Sequence, residues 1–251
     1  MSDDVVVISG GCGRIGQAVA RGVIGRGGLA AVVDTQADSC RHLVGEVASS
    51  SLLVLEADVT SPASFDGAIA AVMERYGAIN SYVHSAYPRS ENWGEPFETL
   101  DADSLGWNLF GQLGGTILAC QRIAAVMREQ QAGSIVLLSS IQGVSAPKFH
   151  HYEGTSMTSP IEYTAIKSGI LGVTRWLANY LKSDGIRVNS VSPGGIADGQ
   201  PSAFVDRYRE ACASKGLLDA EDVAGSVLFL TSDSSRYMTG QNLVVDDGWS
   251  L

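Results

Sequence analysis

The chain has 251 residues, 45% hydrophobic and only 18% charged, with a formal net charge of -10 at pH 7. That length and apolar content suit one α/β domain with a large core, and the shortage of charge fits an enzyme that buries further surface in an oligomer. The negative balance disfavours nonspecific binding to nucleic acid and to anionic membrane surfaces. The acidic start Met1-Ser2-Asp3-Asp4 runs straight into Val5. It lacks the basic region of a secretory signal, and no apolar run reads as a membrane span, so a cytoplasmic location is expected. Cys12, Cys40, Cys120 and Cys212 are far apart and lack metal-ligand spacing. Reduced thiols and no metal site are therefore expected, with Cys12 as a small residue filling a loop.

In chain order, residues 5–9 form an apolar run that stops at glycines and reads as a buried strand, followed by a helix over 17–26. Strands follow over 30–34 and 52–57, then a helix over 64–76 with Phe65, Ile69, Val72 and Met73 on its apolar side. A fourth strand covers 79–83. A long helical stretch covers 105–128, interrupted by Gly111, Gly114 and Gly115. The remaining elements are a strand over 134–139, a strongly periodic helix over 163–181, a strand over 187–192, a helix over 222–230 and a strand over 242–245. Alternating strands and helices with short connections predict a parallel, doubly wound sheet in three α/β/α layers, the whole chain forming a single domain. In such a sheet the ligand lies beyond the carboxyl ends of the strands. Two loops, 85–99 and 142–162, are long enough to be binding loops.

Ser9-Gly10-Gly11-Cys12-Gly13-Arg14-Ile15-Gly16 closes the first strand and opens the first helix. A glycine turn in that position lets the backbone approach a pyrophosphate resting on the helix N-terminus. Asp34 ends the second strand, where a carboxylate either forms a turn or accepts hydrogen bonds from the adenosine ribose hydroxyls. In the second role it repels a 2′-phosphate and favours NAD over NADP. Asp58-Val59 after the third strand suits an adenine-edge contact. Ser139-Ser140 ends the fifth strand, as an ordinary turn or as a hydroxyl that steadies a substrate oxygen. Tyr163 and Lys167, four apart on a helix, share a face, and a nearby ammonium favours the phenolate. Asn108 is either a solvated surface residue or the mark of a local break. Val191-Ser192-Pro193-Gly194-Gly195-Ile196 ends the sixth strand in a rigid turn whose backbone can face a nicotinamide.

Together these parts resemble the short-chain dehydrogenase/reductase family over essentially the whole chain. The matching elements are Gly10 to Gly16, Asp34, Asp58-Val59, Asn108, Ser140, Tyr163 with Lys167, Pro193-Gly194, and the ending Val244-Val245-Asp246-Asp247-Gly248-Trp249. The resemblance implies a Rossmann fold, an NAD cofactor and a catalytic tetrad of Asn108, Ser140, Tyr163 and Lys167. In the family the tyrosine is the acid/base, the serine holds the substrate oxygen, and the lysine binds the nicotinamide ribose and lowers the tyrosine pKa. The asparagine holds a water in the proton relay. It further implies a homotetramer, or else a dimer, with the C-terminal segment at an interface. Cofactor contacts are expected from Gly10, Cys12, Gly13, Arg14, Ile15, Gly16, Asp34, Asp58, Val59, Ser85, Ala86, Tyr163, Lys167, Pro193, Gly194 and Ile196.

Three departures stand out. Arg14 replaces a glycine of the motif and either touches the pyrophosphate or hinders it. The usual Asn-Asn-Ala-Gly after the fourth strand is His84-Ser85-Ala86-Tyr87. The interval from Ser140 to Tyr163 carries an insert, Lys148-Phe149-His150-His151-Tyr152-Glu153-Gly154. With Tyr87-Pro88-Arg89, that insert resembles the flagellin-modification and sugar-modifying oxidoreductases, which implies a polar, sugar-like substrate. His150 and His151 are either solvated on a surface loop or in contact with that substrate. The alternatives to this function are a nonenzymatic NAD-binding sensor or scaffold, and a reductase of a non-sugar carbonyl.

Overall fold

The structure is a computed structural model and describes residues 4–40 and 50–251. Seven strands, β1 (Val5–Ser9), β2 (Leu29–Asp34), β3 (Leu52–Glu56), β4 (Ser81–His84), β5 (Gly133–Leu138), β6 (Ile186–Pro193) and β7 (Asn242–Val245), form one sheet in the order β3-β2-β1-β4-β5-β6-β7. Every ladder is parallel. β1 and β5 are largely valine, isoleucine and leucine because both of their faces are covered. Val5 and Val7 point to one side, where α2 (Pro62–Tyr76), α4 (Gly115–Gln130) and α5 (Ile161–Leu181) supply Phe65, Ile123 and Ile166. Val6 and Ile8 point to the other, against Val19 of α1 (Arg14–Gly25) and Val223 and Val227 of α7 (Ala220–Thr231). The two-residue period of a strand thus builds two cores, one on each face, and a three-layer Rossmann fold. The strand order reverses between β1 and β4, which opens a crevice at the carboxyl edge of the sheet.

The predicted helix over 105–128 is two helices. α3 (Ala102–Asn108) is joined to α4 by a π-helical turn, Leu109–Gly114, that holds Gly111 and Gly114. Asn108 is the last residue of α3, at the break it was read to mark. The continuous stretch Ala102–Gln130 is long and apolar enough, by length and composition, to cross a membrane, contrary to the reading of the sequence. Its residues Ala119, Cys120, Ile123 and Met127 are fully covered by the fold, so its apolar character serves the core. A further helix, α6 (Ser202–Glu210), escaped the periodicity because it is short and polar, with Phe204 and Tyr208 as its buried pair.

The cysteines correct another expectation. Cys12 and Cys40 form a disulfide, with Cα atoms 5.2 Å apart, rather than remaining reduced. They lie 28 residues apart in sequence but meet because β1 and β2 are neighbours whose carboxyl ends finish side by side. Cys120 is buried and Cys212 partly so, and both are free.

Candidate active site

The glycine turn is shaped by what crosses it. Gly10 has φ of +65°, and a Cβ there would stand 2.5 Å from the Ala86 backbone. Ser85 packs onto the same turn, its hydroxyl donating to the carbonyls of Ser9 at 2.9 Å and Gly10 at 3.2 Å. At Gly16 a Cβ would lie 2.5 Å from the Gly11 Cα, so only glycine lets helix α1 start this close to the turn. The Cys12 N–H donates to Asp34 Oδ2 at 3.0 Å and the Gln36 N–H to Asp34 Oδ1 at 3.0 Å. The carboxylate is therefore fixed at the mouth of the turn.

A cleft of about 630 Å³ opens there. Gly10, Cys12, Gly13, Asp34, Asp58, Val59, Ser85 and Ala86 all line it. Asp58 is partly occupied, since its Oδ1 accepts from the Thr60 N–H at 2.8 Å and the Thr60 hydroxyl at 2.7 Å. Ile15 instead packs against the core beneath the turn. Arg14 turns away to form an exposed ion pair with Asp198, in the segment that follows β6. After β6, the Gly194 N–H donates to the Val245 carbonyl at 2.8 Å, and Ile196 bridges to Leu218. Pro193, Gly194 and Ile196 are thereby held in a fixed turn. The cleft's volume, the bare backbone of the turn and the placed carboxylate together fit a dinucleotide. Among the described residues no group of His, Cys, Asp and Glu side chains could hold a metal ion.

Ser140, Tyr163 and Lys167 are brought together. Ser140 caps the short turn Ile141–Gly143, its Oγ accepting from the Gln142 N–H at 3.2 Å and sharing a hydrogen bond with the Tyr163 hydroxyl. Lys167 is buried and its Nζ donates to the Leu138 carbonyl at 3.1 Å. Burial lowers its pKa to about 8. The same burial raises the Tyr163 pKa above the ordinary tyrosine value and outweighs the lowering by the Ser140 hydrogen bond. The Lys167 Nζ stands 5.5 Å from the Tyr163 ring centroid in a dry pocket, where desolvation dominates.

Asn108 is fully buried, but its amide is engaged elsewhere. Oδ1 accepts from the Ser90 N–H at 2.9 Å and Nδ2 donates to Ser90 Oγ at 3.1 Å. The side chain therefore anchors the loop after β4. Gln112, in the π-helical turn, does the same by donating to the Pro88 carbonyl at 2.9 Å.

Several contributors lie outside the expected site residues, although His84 and Tyr87 stand among the departures from the family pattern. His84 accommodates the loss of the family asparagine by placing Nδ1 2.9 Å from Ser9 Oγ and 2.8 Å from the Tyr82 hydroxyl. Tyr87 and Trp93 pack on the Tyr163 ring. Gln142 ties the insert to the catalytic helix, donating to the Tyr152 hydroxyl at 3.2 Å and accepting from the Thr164 hydroxyl at 3.4 Å. Its position two residues after Ser140 was the available signal. Neither option offered for His151 holds, because it is buried among Phe204, Tyr208 and Trp249, and burial lowers its pKa to about 4. Lys148 Nζ donates to the Trp249 carbonyl at 2.6 Å, so the insert is tied to the C-terminal segment. Beside it a second cleft of about 560 Å³ is lined by Glu95, Glu98, Phe97, Phe149, Tyr152 and Thr164.

Comparison with known proteins agrees with this geometry. Residues 13–250 match the family described as enoyl-(acyl carrier protein) reductase. The chain is 41% identical over 255 residues to a post-translational flagellin modification protein A of Campylobacter coli, covering 100% of both. It is 28% identical to a 7alpha-hydroxysteroid dehydrogenase of Bacteroides fragilis, covering 98% of this chain and 94% of that protein. The fold superposes on the crystal structure of a short-chain dehydrogenase from Leptospira borgpetersenii with bound NAD+, with a TM-score of 0.88 at 28% identity, covering 100% of this chain and 94% of that one. With a glycine turn at β1, an aspartate at the end of β2 and a serine–tyrosine–lysine cluster at the β5 edge, and with the family match and the relatives spanning nearly the whole chain, this protein belongs to the short-chain dehydrogenase/reductase family of oxidoreductases.

Proposed function

We propose that the protein is an NAD(H)-dependent oxidoreductase that acts on a hydroxyl or carbonyl of a polar, sugar-like substrate, with Tyr163 as acid/base. The observation that carries this reading is the Ser140–Tyr163–Lys167 cluster, whose Tyr163 ring packs on Tyr87 of the cleft that Asp34 also lines. When bound, the nicotinamide supplies the hydride acceptor or donor and, when oxidised, a positive charge. Asp34 selects NAD over NADP, because its carboxylate repels a 2′-phosphate and accepts ribose hydroxyls. Ser140 Oγ holds the substrate oxygen. Tyr163 takes the hydroxyl proton during oxidation and returns it during reduction, and Lys167 charge opposes the effect of burial on the phenol.

Two facts support the sugar-like substrate. The relative from Campylobacter coli is a flagellin modification protein. The second cleft combines the carboxylates of Glu95 and Glu98 with the rings of Phe97, Phe149 and Tyr152, and that mixture suits hydroxyl groups and the apolar faces of sugar rings. A second reading, a reductase of a non-sugar carbonyl, draws on the exposed Phe97, Phe149 and Ile161 around the same cleft. We further propose a homotetramer, with a dimer as the alternative, since Trp107, Phe110, Trp176 and Tyr180 leave large apolar surfaces exposed.

The test is NADH formation across sugars and sugar alcohols, set against NADH formation with apolar secondary alcohols and NADH consumption with apolar ketones. Turnover confined to the sugars supports the reading, and turnover confined to the apolar set replaces it with the second one. Tyr163→Phe is expected to bind NAD normally and lose nearly all turnover. Substantial residual activity in that variant refutes the acid/base assignment.

A further inference from the structure

The reaction centre has an aromatic wall that hydride transfer as described above leaves without a role. Tyr87 stands where the family pattern has glycine. Its ring meets the Tyr163 ring edge-on, with centroids 5.8 Å apart and planes at 74°. Trp93 meets both rings, at 5.5 Å from Tyr87 and 6.1 Å from Tyr163, again nearly perpendicular. The Lys167 ammonium lies 5.4 Å from the Tyr87 centroid and 5.5 Å from the Tyr163 centroid, so two rings share one charge. A desolvated ammonium gains most from such faces.

The loop that carries Tyr87 and Trp93 is held firmly. Gln112 grips the Pro88 carbonyl at 2.9 Å and Asn108 the Ser90 N–H at 2.9 Å. Both amides are buried, and both sit where α3 gives way to the π-helical turn. The broken helix therefore acts as a bracket that presses the aromatic loop against the catalytic helix.

We propose that Tyr87 is a positioning residue for the Tyr163–Lys167 pair: braced by Trp93, its ring fixes the lysine ammonium beside the reacting phenol and keeps water from that side. This rests on the reading of Tyr163 as the acid/base. The charged and titratable groups that face the pair are His84 at the end of β4, Arg89 and Tyr87 in the loop, Tyr152 in the insert and Glu162 in α5. All except Tyr87 are retained in the variants below.

The test is the pH dependence of kcat for alcohol oxidation in the wild type, Tyr87→Phe, Tyr87→Gly and Tyr87→Leu. Oxidation needs the deprotonated phenol, so the rate rises with pH through the coupled titration of the Tyr163–Lys167 pair. Tyr87→Phe keeps the ring and is expected to stay within about twofold of wild-type kcat, with the rising limb unmoved. Tyr87→Gly admits water, which relaxes the burial that holds the proton on Tyr163. Its kcat is expected to fall roughly tenfold, more than KM changes, and its limb to move to lower pH. Tyr87→Leu excludes water but offers no π face to the ammonium, so its limb is expected to move to higher pH; it serves also if the glycine variant does not fold.

Limbs that stay in place in the glycine and leucine variants overturn the proposal even if kcat falls, because lost packing alone does not move them. A phenylalanine variant that fails to restore kcat overturns it too. Tyr163→Phe, run alongside, separates the two levels: if it retains turnover, the acid/base reading has failed and this proposal with it. If it is inactive while the Tyr87 limbs are unmoved, only the positioning role has failed.

Discussion

His84 ends β4 with Nδ1 between Ser9 Oγ and the Tyr82 hydroxyl, and burial, with the Lys167 charge second, holds its pKa down at about 3. The sign of the consequence follows from proton binding. Between about 3 and the ordinary histidine value the unfolded chain binds a proton that the folded chain refuses, so stability rises with pH across that window. Above the ordinary value the full contribution is present. We expect the urea midpoint to fall between pH 7.5 and pH 5, and to fall less in His84→Asn, which keeps a polar side chain without titrating. Equal slopes in the two proteins would show that other groups cause the acid loss. Asp34 supports a second expectation. Its carboxylate is preset by the Cys12 and Gln36 N–H groups, so Asp34→Ala removes a charged acceptor without disturbing the sheet. NAD affinity is expected to drop roughly tenfold and NADP affinity to drop less, read by nicotinamide fluorescence titration. An unchanged ratio of the two affinities would mean that Asp34 only shapes the turn.

At the scale of elements, the Cys12–Cys40 disulfide joins the glycine turn to the segment after β2 and closes a loop of 28 residues. A bridge of that span stabilises by about 3 kcal/mol, chiefly by restricting the unfolded chain. Reduction should therefore lower the urea midpoint of the wild type and leave Cys40→Ser unaffected, and mass spectrometry should find two free thiols before reduction and four after it. Four free thiols in air-oxidised protein would refute the bridge. The π-helical turn after Asn108 gives another prediction at this scale. Asn108→Ala leaves the Ser90 N–H without its partner and should cost about 1–3 kcal/mol while loosening the loop that carries Tyr87 and Trp93. The thermal midpoint measures the cost, and protease cutting within 85–99 measures the loosening.

At the scale of the molecule, Trp107, Phe110 and Ile117 on one helical stretch and Trp176 and Tyr180 on α5 leave large apolar side chains in water. A homotetramer that covers them should appear in light scattering at about four times the chain mass, and charged substitutions at Trp176 and Phe110 should dissociate it. A stable monomer at micromolar concentration would defeat that expectation. Much of the architecture was legible in the sequence. Runs such as Val5 to Ser9 read as buried strands from their length and β-branched content, glycines end them on schedule, and α5 repeats its apolar face clearly enough to place Tyr163 and Lys167 together. These are local signals, set by side-chain period and backbone freedom, and the sequence carries them without help. The tertiary structure decided what depends on distant groups meeting. Neither Cys12 with Cys40 nor Arg14 with Asp198 can be paired from spacing, and His151 looks solvated until Phe204, Tyr208 and Trp249 close around it. The balance at Tyr163 is of the same kind. The sequence places a lysine beside the phenol, but only packing reveals how dry the site is, and desolvation there outweighs the neighbouring hydrogen bond and holds the proton on.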